Sequence, residues 1–208
     1  MQVKPSYVSQ FELPDVLLKE TYCEILEPTF LPGGSNNKDC YQGGDPSLIT
    51  VDLNKTLDWL HDHPIPKPLE NEVCSIPVLL HVKQFSTQHL LFHYDGTPQS
   101  ARVIREFESL FGNLIGQSRA TIISPSFIPK SKIKEEREII QLISKSTRET
   151  SFIKFNFQRI GDFWSYAVKK DCTLFVTTKN YQADLAKVLF HFYKGEMWSD
   201  KLSFYLTV

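Results

Sequence analysis

Residues Leu90 to Leu110, reading LLFHYDGTPQSARVIREFESL, decide the fold. Leu90-Leu91-Phe92-His93-Tyr94 is a short apolar run of strand type, and Asp95-Gly96 closes it with turn chemistry. Thr97 is placed to cap a helix and Pro98 to open it, since proline has no N–H to lose at the first helical position. Val103, Ile104, Phe107, Leu110 and Phe111 then recur at helical spacing on one face, and Gly112-Asn113 supplies a stop.

Downstream the alternation repeats. Ala120 to Ser124 reads as a strand, and Ile133, Ile139, Ile140 and Ile143 mark an amphipathic helix. The charged residues of that helix, Lys132, Lys134, Glu135, Glu136, Arg137 and Glu138, read as a solvated face. Phe152, Ile153, Phe155 and Phe157 form a third strand, and Phe163, Trp164, Ala167 and Val168 a short helix. Cys172 to Thr177 is a buried-type strand, and Leu185, Val188, Leu189 and Phe192 form a helix ending near Gly195. Leu202 to Val208 is the last strand. Five strands separated by four helices predict an open α/β fold, a mainly parallel five-stranded sheet covered by helices on both faces.

Residues 1–88 are less regular. Gly33 to Asn37 and Gly43 to Pro46 are turn-rich, and His63 to Pro68 reads as an extended loop. Strands are expected at Ser47 to Val51 and at Ile76 to Val82, with a short helix around Thr56 to Leu60. Too few for a sheet of their own, these pieces are expected to dock on an α/β domain spanning residues 89–208.

Composition excludes several classes. The 208 residues carry 41% hydrophobic and 23% charged side chains and a net charge of −1, without the basic surplus that nucleic-acid binding uses. No apolar run approaches the roughly 20 residues that span a bilayer, and Met1-Gln2-Val3-Lys4-Pro5 lacks a signal-peptide core, so a cytoplasmic location is expected. Cys23, Cys40, Cys74 and Cys172 are scattered without a C-x-x-C pair, which reads as reduced thiols.

Leu90 to Leu110 resembles the opening strand, loop and helix of the universal stress protein family, in which a strand ends in Asp followed by Gly and Ser or Thr. The element order over His89 to Val208 resembles the family too. Ser47 to Asp52 followed by Val73 to Leu80 resembles the closing strands of a second such domain, making the chain a tandem with a truncated or degenerate first copy. The resemblance implies an adenine nucleotide α-hydrolase-like sheet ordered 3-2-1-4-5. It places ligand at the carboxyl ends of the strands near the point where the order reverses, which is also the general rule for such sheets. Asp95 then stands at the adenosine position, with Gly96, Thr97, Thr177 and Lys179 completing the binding edge.

ATP-binding members carry a glycine-rich loop after the fourth strand, because only glycine lets backbone amides close on phosphates. Here that segment is Thr177-Thr178-Lys179-Asn180-Tyr181-Gln182-Ala183-Asp184, without a glycine. Phosphate cradling is therefore expected to be lost, ATP and AMP are disfavoured as ligands and no cofactor is expected. Asp184 adds a like charge, and Lys179 offsets it as a point charge at most.

Catalytic chemistry has little support. No G-x-S-x-G elbow or Walker-type loop is present, and no Ser, His and Asp pair a nucleophile with a base. His61-x-His63 with Asp58 and Asp62 suits a divalent ion but reads first as a polar loop, so no metal is assigned. His89 and His93 fall on one strand face with Leu91 and read as core or helix-covered histidines, and His191 as a favourable charge at a helix end. Asp95 has two readings: it contacts ligand, or it caps the following helix or closes a turn. Phe152, Phe155, Phe157, Phe163, Trp164 and Phe175 read as core.

The last strand, apolar on both faces, is expected at a sheet edge, where it can pair. The resemblance implies fifth strands pairing across a dimer. Both a homodimer and an intrachain pseudo-dimer using Ile76 to Val82 are open, as is a separate protein partner. The function expected is a non-enzymatic stress-type regulatory or interaction protein. A nucleotide or small-molecule sensor around Asp95 is the alternative, and a nucleotide hydrolase a third reading.

Overall fold

Period-two runs of apolar residues pair into one sheet, and the computed structural model describes it over residues 18–21, 48–62, 76–194 and 201–208, with side chains at all of these except 18–21, 59–62 and 194. In the first half, β1 (Leu18–Thr21), β2 (Leu48–Asp52), α1 (Leu53–Asp62) and β3 (Val78–His81) are followed by β4 (His89–His93) and α2 (Pro98–Phe111). In the second, β5 (Arg119–Ser124), α3 (Ile133–Ser146), β6 (Glu149–Lys154), α4 (Ile160–Lys169), β7 (Leu174–Thr178), α5 (Gln182–Lys194) and β8 (Ser203–Thr207) complete the order. The segments 33–37, 43–46, Ser47, 63–68, Val73 to Ser75 and Gly195 lie outside the described residues.

Among the described residues eight strands form the sheet, in the order β1-β2-β3-β8-β7-β4-β5-β6, three more than the five-stranded sheet expected of residues 89–208. The five strands from β4 onward are mutually parallel. β2 and β3 are parallel to each other, and β3 meets β8 antiparallel, with Leu79 opposite Tyr205. The last strand is therefore interior, flanked by β7 and β3, which corrects its placement at an edge. Residues before 89 reach the sheet because their short strands cannot satisfy their own backbone groups, whereas the β8 edge offers an unpaired ladder.

Helices cover both faces. On one, Val103, Ile104, Phe107 and Phe111 of α2 and Ile139 and Ile143 of α3 pack on Leu90, Phe92, Ile122, Leu174, Val176 and Tyr205. On the other, Leu53 and Leu57 of α1, Phe163 and Trp164 of α4 and Leu185 and Leu189 of α5 pack on Leu91, Ile123, Phe175 and Phe204. β4 is apolar on both sides because it lies between two such layers, and each fully buried Leu or Phe contributes about 1.5–3 kcal/mol. No described helix is long and apolar enough to cross a membrane.

The third strand stops at Lys154 rather than Phe157, and Phe155 is 44% exposed instead of core. The solvated face expected on α3 has one exception, the buried Glu136.

Candidate functional site

The order of the strands reverses between β4 and β7, and the crevice outside their carboxyl ends is where a sheet of this kind offers room for a ligand. β4 runs out into Tyr94 and Asp95, and Gly96 turns the chain at φ 81°, a value costly for any other residue. A Cβ there would also stand 3.2 Å from Ile128 Cγ2. Asp95 Oδ1 accepts hydrogen bonds from Thr97 N (2.9 Å) and Thr97 Oγ1 (2.6 Å). Thr97 Oγ1 in turn accepts from Ser100 N (3.1 Å), capping α2 as its sequence position predicts. Burial would raise the Asp95 pKa, but hydrogen bonds from Ser100 and Thr97 outweigh it and hold the carboxyl below its ordinary value. Within the chain Asp95 closes the turn that leads into the Thr97 cap.

His93 shares a hydrogen bond with Thr177 at 3.0 Å, strand to strand across the switch point. Its ring lies 4.3 Å from that of Phe163 and 5.0 Å from that of Tyr181. Burial lowers its pKa from 6.5 to about 4, against a smaller upward pull from Asp95, so the imidazole is neutral near pH 7.

After β7 the chain makes one 3-10 turn, Lys179–Tyr181, and passes directly into α5. Lys179 is buried, and its ammonium donates to Ile76 O at 2.6 Å, just ahead of β3. Asn180 Nδ2 donates to Gln99 Oε1 (2.7 Å) and Gln99 Nε2 to Asn180 Oδ1 (3.5 Å), a reciprocal amide pair joining the first turn of α2 to the turn after β7. Asp184 is exposed and lies 3.2 Å from Lys187.

The five sequence-derived residues are thus distributed among separate bonds. Asp95, Gly96 and Thr97 form the helix cap, Thr177 holds His93, and Lys179 reaches back to the first half of the chain. Two fully buried hydroxyls, Tyr94 Oη and Thr178 Oγ1, have no hydrogen-bond partner among the described residues.

A second polar cluster lies at the carboxyl ends of β5 and β6. Glu136 Oε1 accepts from Ser124 Oγ (2.7 Å) and from the Lys154 ammonium, which also donates to Ser124 Oγ at 3.1 Å. Ser124 Oγ donates to the Glu136 carboxylate, so the cluster ties β5 and β6 to α3. Reading α3 as an isolated helix hides it, because Glu136 looks like its solvated neighbours until β5 and β6 are laid beneath.

At the amino ends of the strands, His89 bonds Lys170 O (3.1 Å) and Thr121 Oγ1 (3.3 Å). Burial and then Asp171 push the nearby Cys172 thiol up to about 12, which leaves it without thiolate character. No group of three or more His, Cys, Asp or Glu comes together among the described residues. Of the His61, Asp62 and His63 cluster, no side chain is among the described ones.

No family model and no curated protein matches the chain. Solved structures overlap parts of it. A universal stress protein crystallised in complex with cAMP shares 12% identity and a TM-score of 0.36 over 55% of this chain and 93% of its own. A universal stress family protein from Burkholderia pseudomallei shares 11% identity and a TM-score of 0.33 over 50% and 89%. A protein from Mycobacterium tuberculosis shares 12% identity and a TM-score of 0.33 over 43% and 68%. At these values ligand and activity have to be read from this chain's own residues.

Proposed function

We propose that the chain is a non-enzymatic regulatory or interaction protein of universal-stress-like type, with a switch-point crevice that no longer takes ATP well. The observation that carries this reading is that the side chains expected to meet a nucleotide are bonded within the protein. Gln99 clasps Asn180, His93 holds Thr177, Asp95 closes the turn ahead of α2, and Lys179 donates to Ile76 O. A triphosphate would have to displace these bonds and would meet no glycine turn after β7 to cradle it. Calorimetric titration with ATP, AMP and cAMP tests the reading, cAMP being included because a structural neighbour was crystallised with it. No heat is expected at micromolar protein, and micromolar ATP affinity would overturn it.

Residues 1–88 fit the reading as a partial copy of the domain at 89–208. β2-α1-β3 and β7-α5-β8 are each a parallel crossover, and they meet at the antiparallel β3–β8 pair. Tyr193 of α5 also donates to Asp58 of α1. The second half would thereby hold within one chain the contact that the family resemblance assigns to a dimer.

The unpartnered Tyr94 and Thr178 hydroxyls favour a second reading, a sensor of a small polar molecule beside Asp95. A thermal shift from adenosine-type ligands that Asp95→Ala abolishes would replace the first reading with this one.

A further inference from the structure

Among the described residues the sheet ends on β6. Ser124 stands opposite Lys154, and Phe155 N donates to Ser124 O at 2.9 Å. Residues of a paired strand alternate between its two edges. Ser151, Ile153 and Phe155 therefore turn their backbone groups toward β5, and Thr150, Phe152 and Lys154 turn theirs outward, where no described strand receives them. Exposed Glu149 and Ser151 flank this free ladder.

The carboxyl end of that edge is aromatic. Phe155 stacks on Phe157 with centroids 5.2 Å apart, and Phe127, 90% exposed, is the most exposed large apolar residue described. Ser126 N donates to Asn156 Oδ1 (2.9 Å), tying the loop of Phe127 to that of Phe155. The margin is also cationic. Lys130, Arg148 and Arg159 are exposed and enter no ion pair among the described residues. The nearby Asp162 carboxylate is occupied by Gln158 N and Arg159 N, both at 3.1 Å.

We propose that this margin takes up an extended, acidic and apolar segment of another protein as an added strand on β6. Backbone pairing to Thr150, Phe152 and Lys154 would supply the framework, the Phe127 and Phe155 rings a seat for an apolar side chain, and the cations at both ends the preference for acidic sequence. The inference deepens the reading as an interaction protein but does not depend on the closed crevice. Micromolar ATP binding would sink that reading and leave the edge untouched, whereas failure of the experiment below would sink only the edge.

The test is fluorescence anisotropy of the full chain with a short labelled peptide alternating glutamate and valine, against the same peptide with lysine for glutamate. The acidic peptide is expected to bind and the basic one not. Thr150→Pro removes an outward N–H without touching the β5 ladder, and Phe127→Ser alters a side chain that supports no folding contact. Each is expected to weaken binding about tenfold or more, with circular dichroism unchanged. Equal binding of both peptides, no binding of either, or affinity indifferent to both substitutions would overturn the proposal. So would a dimer of the free protein, seen by sedimentation, that Thr150→Pro dissociates.

Discussion

The switch-point crevice and the β6 margin lie at the same carboxyl edge of one sheet and have opposite chemistry. In the crevice, polar groups answer one another: Asn180 bonds Gln99, Thr177 bonds His93, and Lys179 bonds a carbonyl from the first half of the chain. At the margin, the outward backbone groups of β6 meet no described strand, Phe127 is exposed, and three cations enter no ion pair among the described residues. Side chains at the switch point are thus bonded within the protein, whereas those of the margin are turned toward solvent.

Four measurements bear on that contrast. The largest effect is expected where the two regions meet, at Glu136. Glu136→Ala removes the carboxylate that both the Lys154 ammonium and the Ser124 hydroxyl reach and leaves them only each other, and urea unfolding should show a loss of about 3 kcal/mol. A loss below about 1 kcal/mol would mean that the cluster is solvated and that Lys154 belongs with the free cations of the margin.

The crevice histidine comes next. The His93 pKa is lowered by burial from 6.5 in the unfolded chain to about 4 in the folded one. Between these values the unfolded state binds a proton that the folded state refuses. Stability is full above pH 6.5 and falls as pH drops toward 4, by about 2 kcal/mol between pH 7 and pH 5. His93→Gln should remove that part of the pH dependence in urea titrations. An unchanged profile would show an imidazole open to water and a crevice less filled than its contacts imply.

Gly96→Ala, strained at φ 81° and crowded by Ile128, should cost about 1–2 kcal/mol. A neutral result in thermal melts would indicate a loose turn with space beside Asp95. The smallest effect belongs to the margin, where Phe127→Ser should shift stability by no more than about 0.5 kcal/mol. A larger loss would show Phe127 to be packed and would erase the difference between the two regions.

Much of this could be read before any coordinates. Thr97, Pro98 and the Val103 to Phe111 stripe foretold α2 to the residue, because capping and helical periodicity act within a few positions of each other. The glycine-free run after β7 was likewise legible, and the structure passes there through one 3-10 turn straight into α5. Phe155 and Glu136 were misread for one shared reason. Hydrophobicity and charge say what a residue prefers, but exposure depends on which strand lies underneath and where that strand stops.

The sequence alone determined the alternation of strand and helix from His89 onward, the cap on α2 and the glycine-free turn after β7, since each is set by neighbours a few residues apart. Tertiary structure alone decided that β3 closes the β8 edge, that Lys179 reaches Ile76, that Gln99 meets Asn180, and that β6 is the last strand of the sheet among the described residues. These contacts join residues separated by long stretches of chain, and such pairings are chosen by the packing of whole layers, which no local pattern records.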